Sequence, residues 1–132
     1  MEILKVKTSR RSELVDITAQ VREAVRRTGV DEGVAHLWSF HTTCGLTVNE
    51  GADPDVARDI DWKLGQLVPR DEGYHHAEGN SDSHVKTSMM NPGAALLVSE
   101  GDIALGTWQA IFLCEFDGPR TRKVGIQVVS IP

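Results

Sequence analysis

Apolar and polar residues alternate from Glu2 to Thr8, with Leu4, Val6 and Thr8 on one side and Ile3, Lys5 and Lys7 on the other. A period of two marks a half-buried strand. Leu14 to Ile17 predicts a second strand across the Ser9–Ser12 turn. The period then changes. Val21, Ala24 and Val25 fall on one face of a helix that Thr18 would cap and Gly29 would stop, with Arg26 and Arg27 in its last turn. From Gly33 the run GVAHLWSFHTT alternates again, setting Val34, His36, Trp38 and Phe40 opposite Ala35, Leu37, Ser39 and His41. His41 therefore falls at a strand end, and the segment after it, to Glu50, also reads as strand.

Asp53-Pro54 is a helix start, because aspartate accepts from free backbone N–H groups and proline is preorganised for the first helical position. That helix is expected to turn Val56, Ile60, Leu64 and Leu67 inward and to stop before Pro69. Residues 70–80 show no period and predict a loop. SHVKTSMM predicts a short helix closed by Asn91-Pro92-Gly93. Beyond it the chain predicts strands over Ala94–Ser99, Ile103–Phe116 and Lys123–Ile131, broken at Glu100-Gly101-Asp102 and Asp117-Gly118-Pro119. Alternation along the long middle strand assigns Gly106, Trp108, Ala110, Phe112, Cys114 and Phe116 to the core. Ile111 and Leu113 are then left on an outward apolar face, free for an interface.

At 132 residues the chain fits one domain, 1–132, with enough length to bury a core unaided. No apolar run approaches the ~20 residues of a membrane span, and the N-terminus lacks a secretory pattern, so the expected address is cytoplasmic and no membrane partner is expected. Cys44 and Cys114 make no disulfide framework and read as reduced thiols. A net charge of -5 argues against nucleic acid, whose backbone is held by many lysines and arginines. The basic clusters Arg10-Arg11, Arg26-Arg27 and Arg120 to Lys123 read as solvated surface.

Candidate chemistry concentrates in YHHAEGNSDSHVK, Tyr74 to Lys86, which holds three of the five histidines. Imidazoles and carboxylates so dense are costly to bury unpaired. Three neutral imidazoles, His41, His76 and His84, would hold a divalent metal, zinc foremost, and leave a position open. Glu78, Asn80 and Asp82 would then support the ligands or serve as acid and base. His75 and His76 alternate on an extended backbone, so only one of them would enter a pocket. Lys86, Thr42 and Thr43 could meet a phosphate, and Gln109 faces a side free to line a site. Cys44 has no basic neighbour and reads as a buried thiol, not a nucleophile.

The blocks HTTCGLTVNEGADPDVARD, YHHAEGNSDSHVK and LGTWQAIFLCEFDGPRTRKV resemble the signature blocks of the YjbQ-like proteins, named the secondary thiamine-phosphate synthase enzyme family. The resemblance spans about Val34 to Val129. It implies an α+β fold, a strand-rich sandwich with packed helices, assembled as a homotrimer. It also implies a pocket lined by His41, Thr42, Asn49, Glu50, His76, Glu78, Asn80, Asp82 and His84. The implied activity couples an aminopyrimidine methyl diphosphate to a thiazole phosphate with loss of pyrophosphate, and the implied partner is a small, phosphorylated substrate. A metal-dependent hydrolase or lyase, with Glu78 or Asp82 as base, and a non-catalytic ligand-binding module remain open alternatives. The surplus of carboxylates, Glu50, Glu78 and Asp82, favours an enzyme.

Overall fold

The chain runs β1 (Glu2–Lys7), β2 (Glu13–Asp16), α1 (Thr18–Thr28), β3 (Gly33–Ser39), β4 (Cys44–Glu50), α2 (Pro54–Leu67), α3 (Ser81–Met90), β5 (Gly93–Ser99), β6 (Asp102–Ile103), β7 (Gln109–Glu115) and β8 (Thr121–Ser130). This is a computed structural model that describes residues 1–132. Strands β1-β8-β3-β5-β6 form one sheet and β2-β7-β4 a second, and every pairing is antiparallel. The result is the α+β fold, a strand-rich sandwich with packed helices, that the family resemblance implies. No helix is long and apolar enough to cross a membrane.

The main core lies between the sheets, where Leu4 and Val6 of β1, Ala35 and Leu37 of β3, Val124 and Ile126 of β8 and Val21, Ala24 and Val25 of α1 meet Ile111 and Leu113 of β7. Each large side chain buried there stabilises the fold by about 1.5–3 kcal/mol. Gly29 ends α1 in the left-handed conformation, φ 69°, and donates its N–H to Arg26 O. Asp53 caps α2 by accepting from Asp55 N at 2.9 Å, with Pro54 in the first turn. Helix α2 lies over β2 and β4 and α3 over β4, on the far side of the three-stranded sheet. Gly45 permits that approach: a Cβ there would lie 2.9 Å from Met90 Cβ.

Several details depart from the sequence reading. Thr18 does not cap α1; Ile17 holds that position, and the Thr18 hydroxyl accepts from Ile111 N at 2.9 Å, tying the helix start to β7. Leu67 points outward and Val68 is buried in its place. The expected strand 103–116 is two strands, because the chain leaves the five-stranded sheet after Ile103 and enters the three-stranded one at Gln109. A turn makes the crossing, with Gln109 N donating to Gly106 O at 3.1 Å and Gly106 N to Gln109 Oε1 at 2.8 Å. Trp108 rides on that turn, 64% exposed, and is not core. Strand β7 has no solvent face at all. Ile111 and Leu113 are fully buried in the main core, so they form no interface, while Cys114 and Phe116 pack with Leu64 of α2 on the opposite side.

Candidate functional site

Helix α3 turns a polar side to the protein, with Asp82, Ser83, Lys86 and Thr87 all buried. Such a face needs partners for every charge. Arg11 forks onto Asp82, NH1 to Oδ2 at 3.2 Å and NH2 to Oδ1 at 3.1 Å, and Lys86 Nζ reaches Oδ2 at 3.3 Å. Lys86 Nζ also lies 5.7 Å from the Phe116 ring centroid, an attractive cation–π placement. Ser83 Oγ donates to Phe116 O at 2.5 Å. Burial pushes the Asp82 carboxyl up, yet the Arg11 fork and Lys86 more than offset it and hold the group below the usual carboxylate value. Through these contacts Asp82 and Lys86, expected in acid–base and phosphate roles, fasten α3 to the body of the protein.

The polar inner side leaves His84 and Val85 at the outer one. The loop between α2 and α3 bends at His75, so both His75 and His76 line the hollow beneath it, against the expectation that only one could. With Gly73, Tyr74, Ser81, His84 and Val85 they enclose an open pocket of about 530 Å³. The His76 and His84 rings meet edge to face, centroids 5.3 Å apart. Glu78 Oε1 stands 4.0 Å from His76 Nε2, and both side chains are exposed. Tyr74 OH donates to Pro69 O at 2.5 Å and holds the loop's stem. Asn80, just before α3, donates from Nδ2 to Asp117 Oδ2 at 2.9 Å and keeps Oδ1 buried without a donor.

His41 belongs to a different neighbourhood. Its Nε2 accepts from Lys123 N at 2.8 Å, which leaves the ring proton on Nδ1 when the imidazole is neutral. Burial, then the charge of Arg122, pushes the His41 pKa down. In this arrangement His41 offers a donor, not a lone pair. No group of three or more His, Cys, Asp or Glu side chains in the chain is disposed to hold a metal ion, so the zinc trio His41, His76 and His84 does not fit within one chain. Beside His41, Thr42 is exposed, whereas Thr43 is buried and takes Arg122 NH2 on its hydroxyl at 2.8 Å.

The remaining candidates sit at the far end of the three-stranded sheet, where Glu50 and Gln109 are cross-strand partners and Asn49 faces Ala110. Their side chains serve local backbone: Asn49 Oδ1 accepts from Glu50 N at 2.8 Å, Glu50 Oε2 from Ala52 N at 2.8 Å, and Gln109 from Gly106. A hollow of about 310 Å³ lies nearby, lined by Glu13, Asp16, Glu50, Asp53, Arg58 and Asp61 among others. Its carboxylates too are committed to turns and caps, Asp16 to Thr18 N and Asp53 to Asp55 N, so chemistry favours the histidine-lined pocket.

Two arginines assigned to solvated clusters take up ion pairs instead. Arg122, assigned to a solvated cluster, is 1% exposed and pairs with fully buried Glu115. The signal was the alternation itself, since Arg122 shares its parity with Val124 and Ile126. Arg11 likewise leaves its expected solvated state for Asp82, 71 residues away.

The whole chain finds relatives. A UPF0047 protein of Methanocaldococcus jannaschii is 42% identical over 126 residues, covering 96% of this chain and 91% of that one. The UPF0047 protein YugU of Bacillus subtilis is 41% identical over 131 residues, 98% of this chain and 99% of its own length. Among solved structures, an uncharacterised YjbQ/UPF0047 protein of Clostridium acetobutylicum superposes with a TM-score of 0.95 at 43% identity, over 98% of this chain and 100% of the other. A protein of unknown function from Sulfolobus solfataricus P2 superposes with a TM-score of 0.94 at 30% identity, over 98% and 96%. The family model described as UPF0047 protein YjbQ-like matches residues 2–131, and the chain belongs to that family.

Proposed function

We propose that the pocket between the 70–80 loop and α3 binds a small phosphorylated molecule and that His76 and His84, with Glu78 beside them, move protons during its conversion. The observation that carries this reading is the edge-to-face pair of imidazoles at 5.3 Å in an open, partly apolar hollow. Imidazoles change charge near neutral pH and serve as both acid and base. Tyr74 and Val85 supply apolar wall for a ring, and the His75, His76 and His84 imidazoles supply donors for phosphate oxygens. The coupling of an aminopyrimidine methyl diphosphate to a thiazole phosphate, which the family resemblance implies, is the first reaction to test.

A second reading keeps a divalent cation, most simply zinc, on His76 and His84 alone. Two rings sharing one tetrahedral ion through nitrogens at about 2 Å lie roughly 5 Å apart, close to the separation seen. No step of the proton-transfer reading passes through it. The protein is proposed to work in the cytoplasm as a homotrimer, as the resemblance implies. Both thiols are free and buried, which suits a reducing compartment.

Turnover of the two thiamine precursors and of a panel of phosphate esters by the purified protein tests the proposal. Loss of turnover in His84→Ala and Glu78→Gln, unaffected by chelation, supports proton transfer. Loss on chelation, restored by zinc, supports the second reading. Absence of turnover on every substrate, with phosphate-ester binding retained, would leave a binding module.

A further inference from the structure

An open strand edge offers backbone donors and acceptors that another chain can take. The two sheets have four edges, β1, β6, β2 and β4. Three of them are short or answered: β6 is two residues long, β2 lies against α2, and β4 gives Leu46 N to Asn91 O at 3.0 Å. β1 is different. Thr8 N donates to Arg120 O at 2.9 Å, so alternate residues of β1 face β8, and Ile3, Lys5 and Lys7 turn their main-chain groups to the free side. One contact meets them there, from Gln20 Nε2 to Lys5 O at 3.5 Å, longer than an ordinary hydrogen bond.

Helix α1 runs beside this edge without closing it. Between them lies a hollow of about 440 Å³, lined by Glu2, Leu4, Lys5, Gln20, Glu23 and Arg27 among others. The Arg27–Glu2 ion pair crosses one end of it. A strand edge with a helix set back from it forms the two walls of a slot for one more strand, and the six residues of β1 offer roughly 20 Å of edge.

Charge selects the strand. Lys5 and Lys123 are direct cross-strand partners, an arrangement that repels, and Lys7 is exposed next along β1. None of the three lysines is in an ion pair. Lysines on an edge keep other strands away, but they do so selectively. A strand without carboxylates leaves the repulsion in place, whereas one with carboxylates at alternate positions relieves it. A second copy's β1 does not serve, because pairing across a two-fold near Lys5 would set lysine on lysine.

We infer that β1 takes up an extended acidic segment of another protein as a sixth strand of its sheet. The carboxylates of that segment lie beside Lys5 and Lys7 on the outer face, and its alternate side chains enter the hollow against α1. The contact does not depend on the reaction proposed above.

The purified protein is tested with a blocked hexapeptide in which glutamate alternates with threonine, and with a control carrying lysine for each glutamate. Amide hydrogen exchange followed by NMR reads the edge itself. In the free protein Ile3, Lys5 and Lys7 are expected to exchange fast, and Leu4 and Val6, whose N–H groups face β8, slowly. The acidic peptide at millimolar concentration should slow Ile3, Lys5 and Lys7 several-fold, and the lysine peptide should not. The double variant Lys5→Glu, Lys7→Glu should invert that preference. Lys5→Pro, which removes an edge N–H and spares those that face β8, should abolish the protection of Ile3 and Lys7. Circular dichroism checks folding, and where the proline variant unfolds the charge inversion decides alone. Edge protection in the free protein that grows with its own concentration would assign the edge to a second copy. Edge amides indifferent to both peptides, or slowed equally by both, would leave the lysines as guards only. Each of these results overturns the inference.

Discussion

Arg122 forks onto the carboxylate of Glu115 between the sheets, both side chains closed to solvent. Glu115 also accepts from Thr8 Oγ1 at 2.7 Å, Phe116 N at 3.1 Å and Asp117 N at 3.3 Å, while Arg122 NH2 reaches Thr43 O at 3.2 Å. The pair thus joins the ends of β1, β7 and β8 to the start of β4, and each charge is answered by the other. Removing one member leaves the other buried and alone, which costs about 3–5 kcal/mol. Arg122→Met is expected to lose that much in urea unfolding. The double variant Arg122→Met, Glu115→Leu should recover much of the loss, and equal losses in single and double variants would refute the account.

Asp82 and Glu78 are expected to separate sharply. From the sequence both carboxylates flank candidate ligands in one polar run, and both would be dispensable for folding. The structure divides them: Asp82 is fully buried between Arg11 and Lys86, and Glu78 is exposed. Asp82→Asn should destabilise by about 3 kcal/mol or more, and Glu78→Gln by no more than about 0.5 kcal/mol. Paired thermal and urea melts decide between them, and similar melts for both variants would contradict the division.

Strand β1 was legible because one of its faces meets water and the other does not, so Leu4 and Val6 stand out from Lys5 and Lys7. Strand β7 was not, because it lies between two packed layers, and alternation then sorts residues between two cores instead of between core and solvent. Trp108 was misplaced for a related reason. Alternation says which side a residue takes only while the strand continues, and the Gly106–Gln109 turn ends it. Within the site, His76 and His84 were legible as a pair because a short loop and one helical turn separate them. The location of His41 depends on β8, 82 residues on, and the partner of Asp82 on a turn 71 residues back. Local sequence carries no trace of either pairing.

Gly45 and Gly65 offer a matched test of where space is tight. A Cβ on Gly45 would lie 2.9 Å from Met90 Cβ and 3.0 Å from Asn91 O, the latter being backbone that also accepts from Leu46 N. Gly65 in α2 has nothing within 4 Å. Gly45→Ala is expected to cost about 1–3 kcal/mol by forcing α3 off β4. Gly65→Ala should gain about 0.5–1 kcal/mol from helix propensity. Thermal denaturation reads both signs, and a neutral Gly45→Ala would show that α3 yields freely.

Acid should weaken the fold in two separate stages. Burial, reinforced by Arg122 and also by Arg120 and Lys123, holds the His41 imidazole below its ordinary 6.5, with Glu115 opposing. The folded protein therefore refuses a proton that the unfolded chain accepts. Stability from this group is complete above 6.5 and drains away as pH falls from there to the folded value. Asp82 acts lower down. Burial raises its carboxyl, but Arg11 and Lys86 lower it further, below the ordinary 3.8. Its contribution persists until pH drops under 3.8 and is lost through the folded value. Urea midpoints from pH 7.5 to 3 should therefore fall first just below 6.5 and again below 4. In His41→Gln, whose amide oxygen can still accept from Lys123 N, the upper stage should shrink while the lower one remains. An unchanged upper slope in that variant would assign the first stage to other histidines and remove His41 from the acid response.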